Sequence, residues 1–375
     1  MAFTIHVRIL LSVFAIAAIL GATVNKTNFC TMGAVSDWVN IGDTGRLRAW
    51  LLAIAVAMTG VTLLEASGSV DLSGTTFPPY LSPSFAWLRY VLGGLMFGAG
   101  MTLASGCANK TLVRLGGGNL KSLVVLAVAS GCAYLMLWTD FYGNVFDSWM
   151  APLAINLEGF GIKSQALDAI VGGMTGAGST PVLHTVLGLA IAAGLFLFIF
   201  KSKDFRAGRD NILGGAVVGL AVCAGWYLTG SSLGRAWKDW AEMADNVPSR
   251  VQTQSFTFVS AMGDTARYLS HPGNFALINF GVTALAGVIV GSLIYAILSG
   301  RFRIEWFASS GDFASHVIGG ALMGIGGVLA MGCTIGQGVT GVSTLAAGSM
   351  LAFAAIVAGA AGTMKYQYRR MLRET

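Results

Sequence analysis

The 375-residue sequence predicts an all-α protein that crosses a membrane many times and is built as an inverted repeat. Composition is the first reason. Hydrophobic residues make up 55% of the chain and charged residues 11%, where a soluble domain carries about 25% charged residues. Segregation of charge is the second. No Asp, Glu, Lys or Arg occurs in 90–109, 122–139, 169–200, 211–234, 268–300 or 313–364. Roughly 20 apolar residues cross a bilayer, so the last stretch, 52 residues long, holds two spans with a break between them. Internal similarity is the third. GGLMFGAGMTLASGC at 93–107 and GGALMGIGGVLAMGC at 319–333 agree at eight of fifteen positions.

Taken in order, nine main helices are expected near 5–24, 47–66, 86–106, 119–138, 181–200, 211–228, 275–298, 313–332 and 343–364. Residues 9–20 have the apolar character of a signal-peptide core, but no small-x-small cleavage site follows, so they are read as a retained first helix. Short loops rich in Lys and Arg stay cytoplasmic. The basic loop 201–210, the basic tail 365–375, the acid-free stretch 108–122 and Arg46 with Arg48 are therefore placed inside. Segment 67–88 contains only Asp71, and 139–168 has four acids to one base, so both are placed outside. The N-terminus comes out outside and the C-terminus cytoplasmic, with Arg8 alone against the assignment. The expected location is the bacterial inner membrane. Segments 139–168 and 235–270 are long for plain loops and are expected to hold amphipathic or surface helices.

With this threading, 93–107 runs inward and 319–333 outward. Similar sequence in opposite orientation is the mark of an inverted repeat, which builds a site at the repeat interface. The single membrane domain then divides into a first repeat, 5–138, a connecting region with its own helix, 139–210, and a second repeat, 211–364. The tail 365–375 follows. The many glycines, 51 in all, let helices approach closely.

Three short stretches put a cysteine among glycines and small polar residues at membrane depth. They are NKTNFCTMGAVSDW around Cys30, LASGCANKTLVRLGGGN around Cys107 and LAMGCTIGQGVTG around Cys333. Non-helical backbone at that depth is tolerated only where it is buried in protein or lines a cavity. Each stretch reads as a broken helix followed by a short half-helix, with Asn109 as the expected cap after Cys107. A half-helix N-terminus offers free N–H groups to an anion. Asn28, Thr31, Gly106, Thr111, Gly332 and Thr334 flank the thiols as supporting residues, and Lys26, Lys110 and Arg114 are candidates to attract an anion. The repeat demands a fourth break, at YLTGSSLGRAW (227–237), which carries no cysteine. Thiols, hydroxyls and helix N-termini suit an anion with a soft, polarisable atom. They also suit copper(I).

The motif SGCANKTLVRLGGGNLKSL, with the Cys30 and Cys333 motifs, resembles the YeeE/YedE family of sulfur-transport membrane proteins, over nearly the whole chain. The resemblance implies an hourglass-like architecture with short re-entrant helices dipping toward a central constriction. It implies that Cys30, Cys107 and Cys333 line the path of thiosulfate or a related sulfur anion, without covalent chemistry. It also implies a cytoplasmic sulfur-carrier partner, and it leaves selenium compounds open as cargo. A thiolate would repel a dianion, and apolar surroundings keep a thiol protonated, so neutral thiols are expected.

Two other readings compete with this one. A membrane-embedded thiol or persulfide relay enzyme is disfavoured by the absence of a C-x-x-C pair. A soft-metal transporter would place more Met or His beside the cysteines than Met32 and Met331. The reading is therefore of a non-enzyme with no metal and no cofactor. Its neighbours are membrane lipid rather than nucleic acid, because the net charge of +6 sits mostly in loops and the tail. Cys132 and Cys223 lie in regular apolar helices and read as filler. His184, His271 and His316 read as lone interfacial residues, and Trp138, Trp226, Trp237 and Trp240 as an aromatic belt. Glu65 is the one acid inside an expected span.

Overall fold

The computed structural model describes residues 4–374, except 177 and 245. The first half holds α1 (Ile5–Thr27), α2 (Thr31–Ser36), α3 (Gly45–Ala66), β1 (Thr76–Phe77), β2 (Ser84–Phe85), α4 (Trp87–Leu103), α5 (Ala108–Gly116) and α6 (Leu120–Trp138). The middle holds α7 (Ser148–Met150), β3 (Ile155–Asn156), α8 (Leu167–Thr175), α9 (Pro181–Phe200) and α10 (Lys203–Ala207). The second half holds α11 (Arg209–Gly230), α12 (Ser232–Glu242), β4 (Thr253–Gln254), α13 (Val259–Ser270), α14 (Phe280–Leu298), α15 (Ser310–Leu329) and α16 (Ala347–Glu374). Nine helical stretches among the described residues are long and apolar enough to cross a membrane, and they fall close to the nine expected positions.

Caps explain where the spans start. The Thr180 hydroxyl accepts from the Leu183 N–H, with Pro181 at the first helical position of α9. Asn279 accepts from the Val282 N–H at α14, and Ser309 from the Asp312 N–H at α15. Each satisfies a donor that a helix start leaves unpaired.

Small residues fix the packing. α4 lies between α15 and α16. A Cβ at Gly93 would sit 2.7 Å from Gly326 O, and one at Gly326 would sit 2.8 Å from Gly93 O. Gly100 and Gly319 have the same relation, 2.7 Å each way. The two similar segments thus pack antiparallel on each other, each through its first and eighth residues. The other pairings are also reciprocal. α1 packs on α14 and α11 on α3, α4 packs on α16 and α15 on α6, and α1 meets α11 directly. Adding side chains at such contacts forces backbones apart and costs about 1–3 kcal/mol each.

Several expectations need correction. Within 235–270, α12 is amphipathic, but α13 is not a surface helix. Val259, Ala261, Met262, Gly263 and Asp264 are buried, and Gly263 brings α13 onto the Ala133 backbone of α6. Trp226 and Trp237 are fully buried rather than interfacial, and the Trp237 indole N–H donates to His6 Nδ1 at 3.0 Å. His184 is not lone. It lies 2.8 Å from Asp168 and 3.2 Å from Glu65, tying α9 to α8 and α3. His316 is buried beside Asp312. The basic tail continues α16 as helix to Glu374.

Candidate functional site

All three cysteines occupy one local geometry. Within two residues of the ends of α1, α4 and α15 comes a residue with left-handed backbone: Asn28 (φ 53°), Ser105 (φ 58°) and Met331 (φ 58°). Two residues later comes the cysteine, in extended conformation at Cys30 (ψ 129°) and Cys107 (ψ 171°). A new helix starts at once. Cys30 is the N-cap of α2 and Cys107 of α5. After Cys333, helix begins at Thr334 and passes through a wide π-helical turn, Gly336–Gly341. The expected cap Asn109 is instead the second residue of α5. The thiol-bearing residue itself holds the cap position, because its extended backbone already turns the chain. Gly106 and Gly332 stand just before the thiols, but Ser105 and Met331 take the left-handed conformation.

The expected fourth break carries no sulfur and lacks the left-handed turn, so α11 runs directly into the cap of the next helix. α11 ends at Gly230, and Ser231 caps α12 with its hydroxyl accepting from the Leu233 N–H.

The thiols are buried and mutually placed. Cys107 and Cys333 are 1% and 0% exposed, and Cys30 is 5% exposed. The Cys30 and Cys107 side chains adjoin each other, and Thr334 adjoins Cys107. Cys333 Sγ accepts from the backbone N–H groups of Phe258 and Gly336, each at 3.4 Å. Thr257 and Tyr80 stand beside Cys333. A Cβ at Gly336 would lie 2.4 Å from Thr257 Oγ1 and 3.5 Å from the Tyr80 hydroxyl. Glycine there is what admits both hydroxyls to the thiol.

Polar atoms around the thiols lack partners. Thr31 Oγ1, Asn109 Oδ1, Thr334 Oγ1, Thr257 Oγ1, the Tyr80 hydroxyl and Gln337 Oε1 are buried with no hydrogen-bond partner. Buried polar groups are normally satisfied, and exceptions call for a function. Thr111 is different. Its hydroxyl donates to Cys107 O at 3.1 Å and so holds the α5 start.

The cations gather near Cys30. Lys110 donates to Asn28 Oδ1 at 3.0 Å, and Arg114 to Ser105 O at 2.8 Å, so both brace breaks as well as carrying charge. Lys26 is exposed at the end of α1. Arg46, unremarked in the sequence except as a topology marker, pairs with Asp37 through two guanidinium nitrogens. Cys223 lies apart against the Ala57 carbonyl, 3.5 Å away. Among the described residues no group of three His, Cys, Asp or Glu side chains is arranged to hold a metal.

Sequence reasoning missed Tyr80, Thr257 and Phe258. They reach the site because β1 pairs with β4 in parallel, Thr76 with Thr253 and Phe77 with Gln254. The signal available was the charge-free run 251–263 inside a stretch read as loop.

Comparison with known proteins finds relatives among transporters. A thiosulfate transporter, TsuA, of Escherichia coli K12 is 25% identical over 337 residues, covering 88% of this chain and 86% of its own. TsuA of Spirochaeta thermophila is 25% identical over 351 residues, covering 89% of this chain and 92% of its own. A family model described as sulphur transport matches residues 26–362. The chain is a multi-pass membrane protein that belongs to the sulphur-transport family (YeeE/YedE).

Proposed function

We propose that the chain imports thiosulfate, or a closely related inorganic sulfur anion, across the bacterial inner membrane. The anion passes Cys333, Cys107 and Cys30 as neutral thiols, with the N-terminus outside and the C-terminus cytoplasmic. One observation carries this reading. Cys333, its neighbour Thr334, then Cys107 and Cys30 follow one another through the buried core, among hydroxyls left unpaired. An S–H group is a weak donor, and conduction needs binding weak enough to release. Several weak donors in series meet that need better than one tight clamp.

The two halves, 5–138 and 211–364, are read as inverted repeats. The reciprocal helix pairings and the antiparallel Gly93–Gly326 and Gly100–Gly319 contacts support it. Cys107 and Cys333 are then symmetry mates, and Ser231 stands where the mate of Cys30 would be. Inward passage of a dianion against a negative interior costs about 2.3 kcal/mol per charge per 100 mV, so roughly 4.6 kcal/mol. Consumption of the anion by a cytoplasmic sulfur-carrier protein sustains the flow.

The adjacency of Cys30 and Cys107 favours one second reading, a thiol relay enzyme. Mass spectrometry of the oxidised and reduced protein separates the two. A Cys30–Cys107 disulfide or a persulfide that forms and discharges during turnover supports the relay. The import reading is tested by growth on thiosulfate as sole sulfur source, in cells lacking other sulfate and thiosulfate uptake. The wild-type chain restores growth, and Cys107→Ala does not. Equal growth with both chains contradicts the assignment of Cys107.

A further inference from the structure

Arg89 stands at the end of α4 opposite to the end that Cys107 follows. It lies in the first turn of α4, next to a cavity of about 290 Å³. Three pieces of chain that lead to Cys333 line this cavity. Met331 and Gly332 form the turn that delivers the thiol, Pro78 and Pro79 lead into Tyr80, and Ser260 follows Phe258. The cavity therefore reaches the turn that immediately precedes the buried Cys333.

Arg89 is partly buried at the start of its span. It makes no ion pair among the described residues, and its Nε is buried without a hydrogen-bond partner. Its guanidinium lies 4.8 Å from the centre of the Tyr142 ring. The nearby acid, Asp147, is occupied by the Tyr142 hydroxyl at 2.6 Å. A cation whose Nε is buried without a hydrogen-bond acceptor has donor capacity left for an anion. A planar guanidinium with five donors matches the paired oxygens of an oxyanion better than an ammonium does.

We infer that Arg89 and this cavity form the oxyanion-reading step of the path, holding the oxygens of an oxysulfur dianion while its terminal sulfur faces Cys333. Arg89 then governs affinity, because every oxysulfur anion offers it oxygens. The thiols behind it govern choice, because only a terminal sulfur suits them. The inference rests on the sulfur-anion reading of the path.

The test uses the full chain, purified and reconstituted in liposomes, with labelled thiosulfate. Arg89→Met raises the half-saturating concentration about ten-fold or more and leaves the maximal rate nearly unchanged, while Arg89→Lys restores part of the loss. In the wild-type protein, thiosulfate protects Arg89 from an arginine-directed dicarbonyl reagent, read by peptide mass spectrometry, and chloride does not. An Arg89→Met chain with unchanged half-saturation, or absence of protection, overturns the inference while leaving thiosulfate transport standing. A folded wild-type chain that takes up no thiosulfate overturns the transport reading, and this inference with it. If Arg89→Met fails to fold, the Arg89→Lys kinetics and the protection experiment decide the matter.

Discussion

Ser292 ties together the two helices that carry adjoining thiols. It is fully buried in α14. Its hydroxyl donates to Val113 O of α5 at 2.6 Å and accepts from Asn25 Nδ2 of α1 at 2.7 Å. α5 starts at Cys107, and α1 ends just before Cys30. Ser292→Ala removes both hydrogen bonds without adding volume. Each is worth about 0.5–1.5 kcal/mol net, and partial rescue survives, because Val113 O still accepts from the Gly117 N–H and Asn25 still reaches Ser292 O. The expected loss is therefore about 2 kcal/mol. Thermal unfolding in detergent reads it as a fall of roughly 2–5 °C. Thiosulfate uptake falls as well, because α5, whose N-cap is Cys107, loses an anchor in its second half. Unchanged unfolding together with unchanged uptake would refute the claim that this hydroxyl holds the Cys30–Cys107 pair in place.

Other predictions address separate links. Gly100→Leu wedges α4 away from Gly319 O, now 2.7 Å from a Cβ there; it lowers stability by about 1–3 kcal/mol or more, read by thermal unfolding. Thr334→Val removes a buried unpaired hydroxyl while keeping the shape. Uptake drops, Thr334→Ser retains it, and equal uptake by both variants argues against a polar role. Cys223→Ala leaves thiosulfate uptake intact, since that thiol packs on α3 away from the other three. His184→Gln breaks the link between Asp168 and Glu65 and destabilises the fold by about 1–3 kcal/mol, measured as a lower unfolding temperature.

The spans and the three thiols were legible because both leave local marks. A membrane helix excludes charge from most of its length, so six charge-free runs mark seven of the nine spans in one pass. Cys30, Cys107 and Cys333 stand out because each follows a polar or small turn where helix is otherwise favoured. Residues brought in by long-range pairing leave no such mark. Tyr80 and Thr257 lie on segments joined by a parallel two-residue ladder, which no local pattern announces. Trp226 and Trp237 look interfacial from position alone; their burial depends on Tyr80 and His6, distant in sequence. The role expected of Asn109 went to Cys107, because helix capping answers to backbone conformation as well as side-chain type.

The most direct test of the central claim is thiosulfate uptake by reconstituted protein carrying single Ala substitutions at each of the five cysteines. The account predicts that Cys30→Ala, Cys107→Ala and Cys333→Ala lose most of the wild-type rate, while Cys132→Ala and Cys223→Ala keep it. Uptake by folded Cys107→Ala and Cys333→Ala at the wild-type rate would contradict a path lined by these thiols.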